Sequence, residues 1–323
     1  MSFGKGKGRI GIFGTVWLSS AFFVAIMVIT AGASVSTAAQ VPNSKSKTKA
    51  KDDASHGAKV NAQQLARDVL TNEVKAEQSD HTLWRFRKAE WKNGQEKLYD
   101  VIETRNGDVS RLLAANGKPL NAEQQRAEDA RIQKLMKELD ELKKQQQTLK
   151  ADGDKETELL KMLPDALQYR YAGREGDLVK LTFTPNPKFH ASSREAEVFH
   201  HMSGVMVLNV KVKRLAEMRG RLTSEVKFFG GILGHLDKGG TFAVKQADVS
   251  GTHWDMTLLD TELNGKALFF KTIAVHEKRL ESNYQRVPND ITLQQAAQIL
   301  TKGAAESAAT TSKKAQGSNR AEN

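Results

Sequence analysis

The chain contains no cysteine. That excludes disulfides, thiolate metal sites, a cysteine nucleophile and lipid attachment through an N-terminal cysteine. Absence of thiols is compatible with an oxidising compartment, where a stray thiol is a liability. Catalytic signatures are missing too. There is no G-x-S-x-G elbow, no phosphate-cradling P-loop and no G-x-G-x-x-G in a βαβ setting. The glycines of "FGGILGHLDKGG" match neither phosphate pattern and read as a tight loop between antiparallel strands. Glu197 with His200 or His201 has helical metal-site spacing, but such sites need a second motif on a facing helix, and none is present. His276-Glu277 lacks the second helical histidine of a zincin, and His190, His235 and His253 stand alone. No repeat of 20–50 residues occurs, which disfavours a propeller or solenoid. The expectation is a protein that is not an enzyme, with no catalytic residue, no metal and no cofactor.

A broad positive field is also lacking where a nucleic acid would need it. The formal charge is +11, from 49 basic and 38 acidic side chains. Residues 1–59 carry eight Lys/Arg against two Asp/Glu, and residues 303–323 three against two, leaving a net of only +4 for residues 60–302. The basicity belongs to the ends, and no nucleic-acid partner is expected. The stretch "LWRFRKAEW" could stack bases, but a strand with Trp84 and Phe86 inward and charges outward accounts for it equally.

The N-terminus is the one place with a long uncharged apolar run, Ile10 to Thr30, behind Lys5, Lys7 and Arg9. Small residues follow. This is the pattern of a secretory signal peptide over residues 1–39, with an uncleaved anchor as the alternative because the run approaches a membrane-spanning length. Either places the remainder outside the cytoplasm, in the periplasm or cell envelope. Residues 40–59 have the composition of a disordered linker, and residues 303–323 that of a disordered tail. The linker's lysines allow transient membrane contact.

Residues 60–302 then form one folded unit. Asn61 caps a first helix carrying Leu65, Val69, Leu70 and Val74 at helical spacing. Strand-like runs follow, joined by turn signals such as Asn93-Gly94, Asn106-Gly107, Asp237-Lys238-Gly239-Gly240 and Asn264-Gly265. "SSREAEVFHHMSG" reads as a short helix with a serine cap and a glycine stop. In "GVMVLNVKVK", Met206, Leu208, Val210 and Val212 share one face. An insertion at 121–163 carries a heptad-like seam of Ile132, Leu135, Leu139, Leu142, Gln146 and Leu149, and it reads as a helical hairpin. It could serve a protein partner. "TLQQAAQIL" closes the unit. The fold class expected is α+β, mainly antiparallel β: an incomplete barrel of about eleven strands with helices covering one side.

Several runs are apolar on both faces: "LLAA", "KFF", "TLL" and "ALFF". A sheet packed on helices on one face and lining a hollow on the other explains this; so does a large two-layer core. Alternation nominates Trp84, Phe86, Met206, Leu208, Val210, Trp254, Met256, Leu258, Phe269 and Ile273 as an apolar lining. The order of elements over about residues 60–288, with Trp254 in "HWDMTLLDTELNGKALFFKTI" and its G-x-x-x-F-F-K ending, resembles the LolA/LolB-type lipoprotein-carrier superfamily. The resemblance implies an incomplete eleven-stranded barrel lidded by helices, binding a lipid, an acyl chain or a lipidated protein. The 121–163 insertion departs from that pattern and suggests the alternative of an envelope interaction or sensor module. The segment "LTFTPNPKFHASSREAEVFHHMSG" resembles a separate motif of bacterial envelope proteins.

Overall fold

The computed structural model describes residues 61–138, 155–193, 195–231, 234–267 and 271–303. The expected signal segment, linker and tail, the seam from Leu139 to Leu149, and Phe269 lie outside the described residues.

Among the described residues four α-helices frame the unit: α1 (Ala62–Ser79), α2 (Ala122–Lys137), α3 (155–166) and α4 (293–303). Helix α1 begins as its cap predicts, with Asn61 accepting from the Gln64 amide. Helix α2 has a reciprocal capping box between Asn121 and Gln124. The strands are β1 (Leu83–Lys92), β2 (Gln95–Ile102), β3 (Val109–Ala115), β4 (Lys118–Pro119), β5 (Leu167–Glu175), β6 (Leu178–Pro185), β7 (Met202–Asn209), β8 (Arg214–Leu222), β9 (Val226–Phe228), β10 (Gly234–Leu236), β11 (Thr241–Asp248), β12 (Trp254–Ala267) and β13 (Lys271–Val287). They form one antiparallel sheet in the order β4-β3-β2-β1-β13-β12-β11-β8-β7-β6-β5, with β9 and β10 joined through β12. The sheet is open, with β4 and β5 at its edges. The class is α+β with mostly antiparallel sheet. Among the described residues no helix is long and apolar enough to cross a membrane.

Several local expectations are corrected. Asn93-Gly94 does turn between β1 and β2, with φ of 52° and 72°. Asn264-Gly265 does not turn: both residues pair inside β12, opposite Ala274 and Ile273. The glycine there serves a close approach, since a Cβ at Gly265 would lie 2.1 Å from the His235 carbonyl of neighbouring β10. Val212 leaves the face of Met206 because the chain turns at 210–213, where Lys213 has φ 54°. The short helix is 3-10, Glu195–His201, and Gly204 belongs to β7 instead of ending it.

Two apolar clusters hold the layers together. Helices α1 and α3 bring Ala66, Val69, Leu70, Leu159, Leu160 and Leu163 onto the β5–β8 face carrying Leu181, Phe183, Met206, Leu208 and Met218. Helices α2 and α4 bring Ile132, Leu135, Leu293 and Leu300 onto Leu83, Ile102 and Val109. Each large apolar side chain so buried contributes roughly 1.5–3 kcal/mol.

Candidate functional site

Residues opposite each other in an antiparallel register share a face. The face that carries Met206 and Met218 continues through Val244 and Leu259 to Leu263 and Ile273. It then changes character. On β13 the same face presents Arg279 and Glu277, and on β1 it presents Glu90 and Lys92 opposite them, with Lys88 opposite Glu281. Lys88, Glu277 and Arg279 are all buried. Charged side chains reach such positions only when partnered. Lys92 Nζ lies 2.7 Å from Glu277 Oε2, Arg279 Nη2 3.0 Å from Glu277 Oε1, and Arg279 Nη1 3.7 Å from Glu281 Oε1. Lys88 Nζ lies over the Tyr99 ring at 5.1 Å.

The row is poised electrostatically. Burial lifts the Glu281 carboxyl to about 7 although Arg279 pulls the other way. Burial, then repulsion from Glu103, raises Asp108 well above the carboxylate range, and neither of its oxygens has a hydrogen-bond partner. Burial and Arg279 depress Lys88. Burial opposes ionisation of Glu277, but the hydrogen bond from Lys92 and the charge of Arg279 prevail and lower it. Tyr284 is pushed up by burial and by Glu281. Its hydroxyl donates to the Met256 carbonyl at 2.7 Å and lies 3.0 Å from Glu281 Oε2.

At one end of the row an aromatic group meets a histidine clasp. Trp84 stacks on His253 at 4.7 Å, and Phe86 stacks on Tyr284 at 5.1 Å. His253 Nδ1 contacts Asp80 and Nε2 lies 3.3 Å from Asp255 Oδ2. Burial alone would depress the imidazole; Asp255 and Asp80 overcome it and raise it. Asp80 is the C-cap of α1, so the clasp ties that helix to the residues leading into β12.

Further polar ties hold α1 over the apolar half of the face. Gln63 Nε2 donates to the Pro164 and Leu167 carbonyls at 2.6 and 3.0 Å. Glu73 Oε1 accepts from Arg214 Nε at 2.9 Å and from the Leu215 amide. Asn72 donates to the Lys213 carbonyl at 2.9 Å. Burial raises Glu73 despite Arg214, and burial with repulsion from Glu73 raises Glu77 to about 7. The helix thus rests on modest apolar side chains and a fringe of hydrogen bonds.

The ten nominated lining residues fall into separate groups. Met206, Leu208 and Ile273 belong to the large cluster to which α1 contributes, with Val210 packed against it. Trp84 and Phe86 form an aromatic group with Val101. Met256 packs with Val244 and Leu259. Trp254 and Leu258 are half-buried, and Leu258 faces away from Leu259, opposite Leu280. Among the described residues, cavities adjoin the sheet at two places. One of about 330 Å³ is lined by residues including Arg85, Arg87 and Asp100, and one of about 620 Å³ by residues including Ser193, Glu195 and Lys227.

The buried charged row was not anticipated. "HEKRLES" carries charge at both parities, so alternation does not say which set faces inward. The signal lies in cross-strand pairing: Lys88 and Lys92 of β1 are spaced to meet Glu281 and Glu277. Among the described residues no group of three or more His, Asp or Glu is arranged to hold a metal ion. Compared with protein families, with curated proteins and with solved structures, the chain matches none.

Proposed function

We propose that this chain is a non-enzymatic binding protein of the cell envelope that shelters a lipid, an acyl chain or the lipid of a lipoprotein. On this reading the open sheet curls as an incomplete barrel and α1 with α3 forms its cover. The observation that carries the reading is the two-part composition of one sheet face. It is apolar from Leu181 through Met206 to Ile273, with α1 packed on its β5 and β8 part, and charged along Lys88, Glu277, Arg279 and Glu281. An amphiphile has the same division, an apolar chain and a polar end. The order of elements, similar to that of the lipoprotein carriers, points the same way.

Neither cavity described above is lined mainly by apolar side chains; on this reading the acyl chain takes the place of α1. The energetics allow that exchange. The helix buries two valines, one leucine and two alanines. At roughly 1.5–3 kcal/mol for each of the three larger side chains, this is a modest sum. An acyl chain of about twelve methylenes offers roughly 10 kcal/mol at about 0.8 kcal/mol per methylene. Gain and loss are close enough for reversible binding. The polar ties at Gln63, Glu73 and Asp80 break without leaving the sheet's apolar residues unmatched, because the ligand covers them.

The absence of native cysteines makes a clean test available. Asn72→Cys with Lys213→Cys places one thiol on α1 and one beside β8, at an existing contact. Reduced protein should take up a fluorescent fatty acid, and oxidised protein should not. Equal uptake in both states refutes displacement of α1; no uptake in either, by protein free of copurified lipid, refutes the function.

A further inference from the structure

The strand that supplies Trp84, Phe86 and Lys88 to the buried face places Arg85 and Arg87 on the other. There a single carboxylate, Asp100 of β2, serves both guanidiniums. Arg85 is bound to it twice, Nε to Oδ1 at 3.1 Å and Nη2 to Oδ2 at 2.7 Å. Arg87 Nη1 lies 3.2 Å from the same Oδ2 without a hydrogen bond, although that nitrogen is buried. Two positive charges against one negative leave a net +1, and the Arg87 side chain, 35% exposed, lines the cavity beside the pair.

The backbone opens beside this pair. Arg85 sits opposite Gln285 and Arg87 opposite Ser282, so the β1–β13 register slips between them. Asn283 takes up the slip at φ 59°. The result is the cavity of about 330 Å³, in which Arg85, Arg87 and Asp100 meet the exposed side chains of Asn283 and Gln285. Tyr284, also on its wall, commits its hydroxyl to Met256 and Glu281. What the cavity offers a ligand is therefore guanidinium and amide donors under a net positive charge. A planar guanidinium fork matches two oxygens of an oxyanion.

We propose that this cavity binds a compact oxyanion of the phosphate type, with Arg87 as the principal donor and Arg85, held by Asp100, as its positioning partner. Its volume leaves room for an ester substituent on the phosphate. The site lies on the opposite face from the apolar region and does not depend on lipid uptake there.

Titration of the full folded chain with inorganic phosphate, followed by NMR of the arginine side-chain Nε–H groups, tests this directly. Sodium chloride at matched ionic strength is the control. A saturable shift in the wild type is expected, weakened roughly tenfold in Arg87→Gln by loss of a charge-assisted hydrogen bond. Arg87→Lys keeps the charge and loses the fork, so it should retain part of the affinity. Arg174→Gln, in the β5–β6 hairpin away from the cavity, should bind as wild type. Sedimentation with phosphatidylglycerol vesicles, against phosphatidylcholine vesicles, separates the two sources of phosphate. Arg87-dependent vesicle binding assigns a headgroup, and binding of inorganic phosphate alone assigns a soluble phosphate compound. The proposal is overturned by a non-saturating shift, by a shift that chloride reproduces, or by equal losses in Arg87→Gln and Arg174→Gln.

Discussion

Replacing Glu281 with glutamine should flatten the pH dependence of stability. Glu281 lies on β13 opposite Lys88, 3.7 Å from Arg279 and 3.0 Å from the Tyr284 hydroxyl. Burial raises its carboxyl from 4.5 to about 7. The Tyr284 hydroxyl has one proton and two acceptors in reach, the Met256 carbonyl and Glu281. A protonated Glu281 satisfies both contacts, donating to the hydroxyl while the hydroxyl donates to the carbonyl. An ionised Glu281 competes with the carbonyl for the one proton. Because burial outweighs the opposing pull of Arg279 and of the Tyr284 hydroxyl, the folded state holds this proton more tightly than the unfolded chain does. Stability from this source is present in acid and is lost as pH rises from the unfolded value through about 7. Integrated between about pH 5.5 and about pH 8.5, the loss is about 2 kcal/mol. Glutamine cannot ionise, and its amide donates to the hydroxyl at every pH. Urea unfolding followed by tryptophan fluorescence at both pH values should give Glu281→Gln a change smaller than that of the wild type by about 2 kcal/mol. Parallel pH profiles for the two proteins would refute the protonated arrangement.

The remaining predictions probe the clasp, the sheet and the core. His253→Asn should cost about 1–2 kcal/mol in acid. Since the folded imidazole is raised, the penalty should shrink as pH climbs through its titration; a penalty independent of pH contradicts an imidazolium between Asp80 and Asp255. Gly265→Ala should cost about 3 kcal/mol or more, because the new methyl meets the His235 carbonyl at 2.1 Å. A cost of about 1 kcal/mol, typical of a strained glycine position in a turn, would restore Asn264-Gly265 as a hairpin. Met206→Ala should cost about 2–5 kcal/mol in thermal or chemical melts, as expected for a fully buried side chain under α1, and a near-neutral result would mean that this face is hollow.

Periodicity made much of the architecture legible. The cap at Asn61, the turn at Asn93-Gly94 and the alternation of Met206 with Leu208 were all readable, because each rests on a local signal. Misreadings came where tertiary contacts decide. Asn264-Gly265 has turn chemistry, yet β10 lies close against β12 and needs a residue without a Cβ there. Strand β8 carries no period-two signal, because its buried Leu215, Met218 and Leu222 stand three and four residues apart over a slipped register with β7. The charged row was hidden for a different reason. Glu277, Arg279 and Glu281 resemble a solvated face until β1 supplies Lys88 and Lys92 opposite them. Apolar alternation nominated Trp84 and Met206 alike, but could not separate the aromatic group beside His253 from the packed region under α1.

Native mass spectrometry of the protein, purified without detergent, tests lipid binding most directly. A population heavier than the polypeptide by the mass of a lipid or acyl chain is expected, released at higher collision energy and restored by adding fatty acid. A bare polypeptide mass that stays unchanged on adding fatty acid would contradict lipid binding.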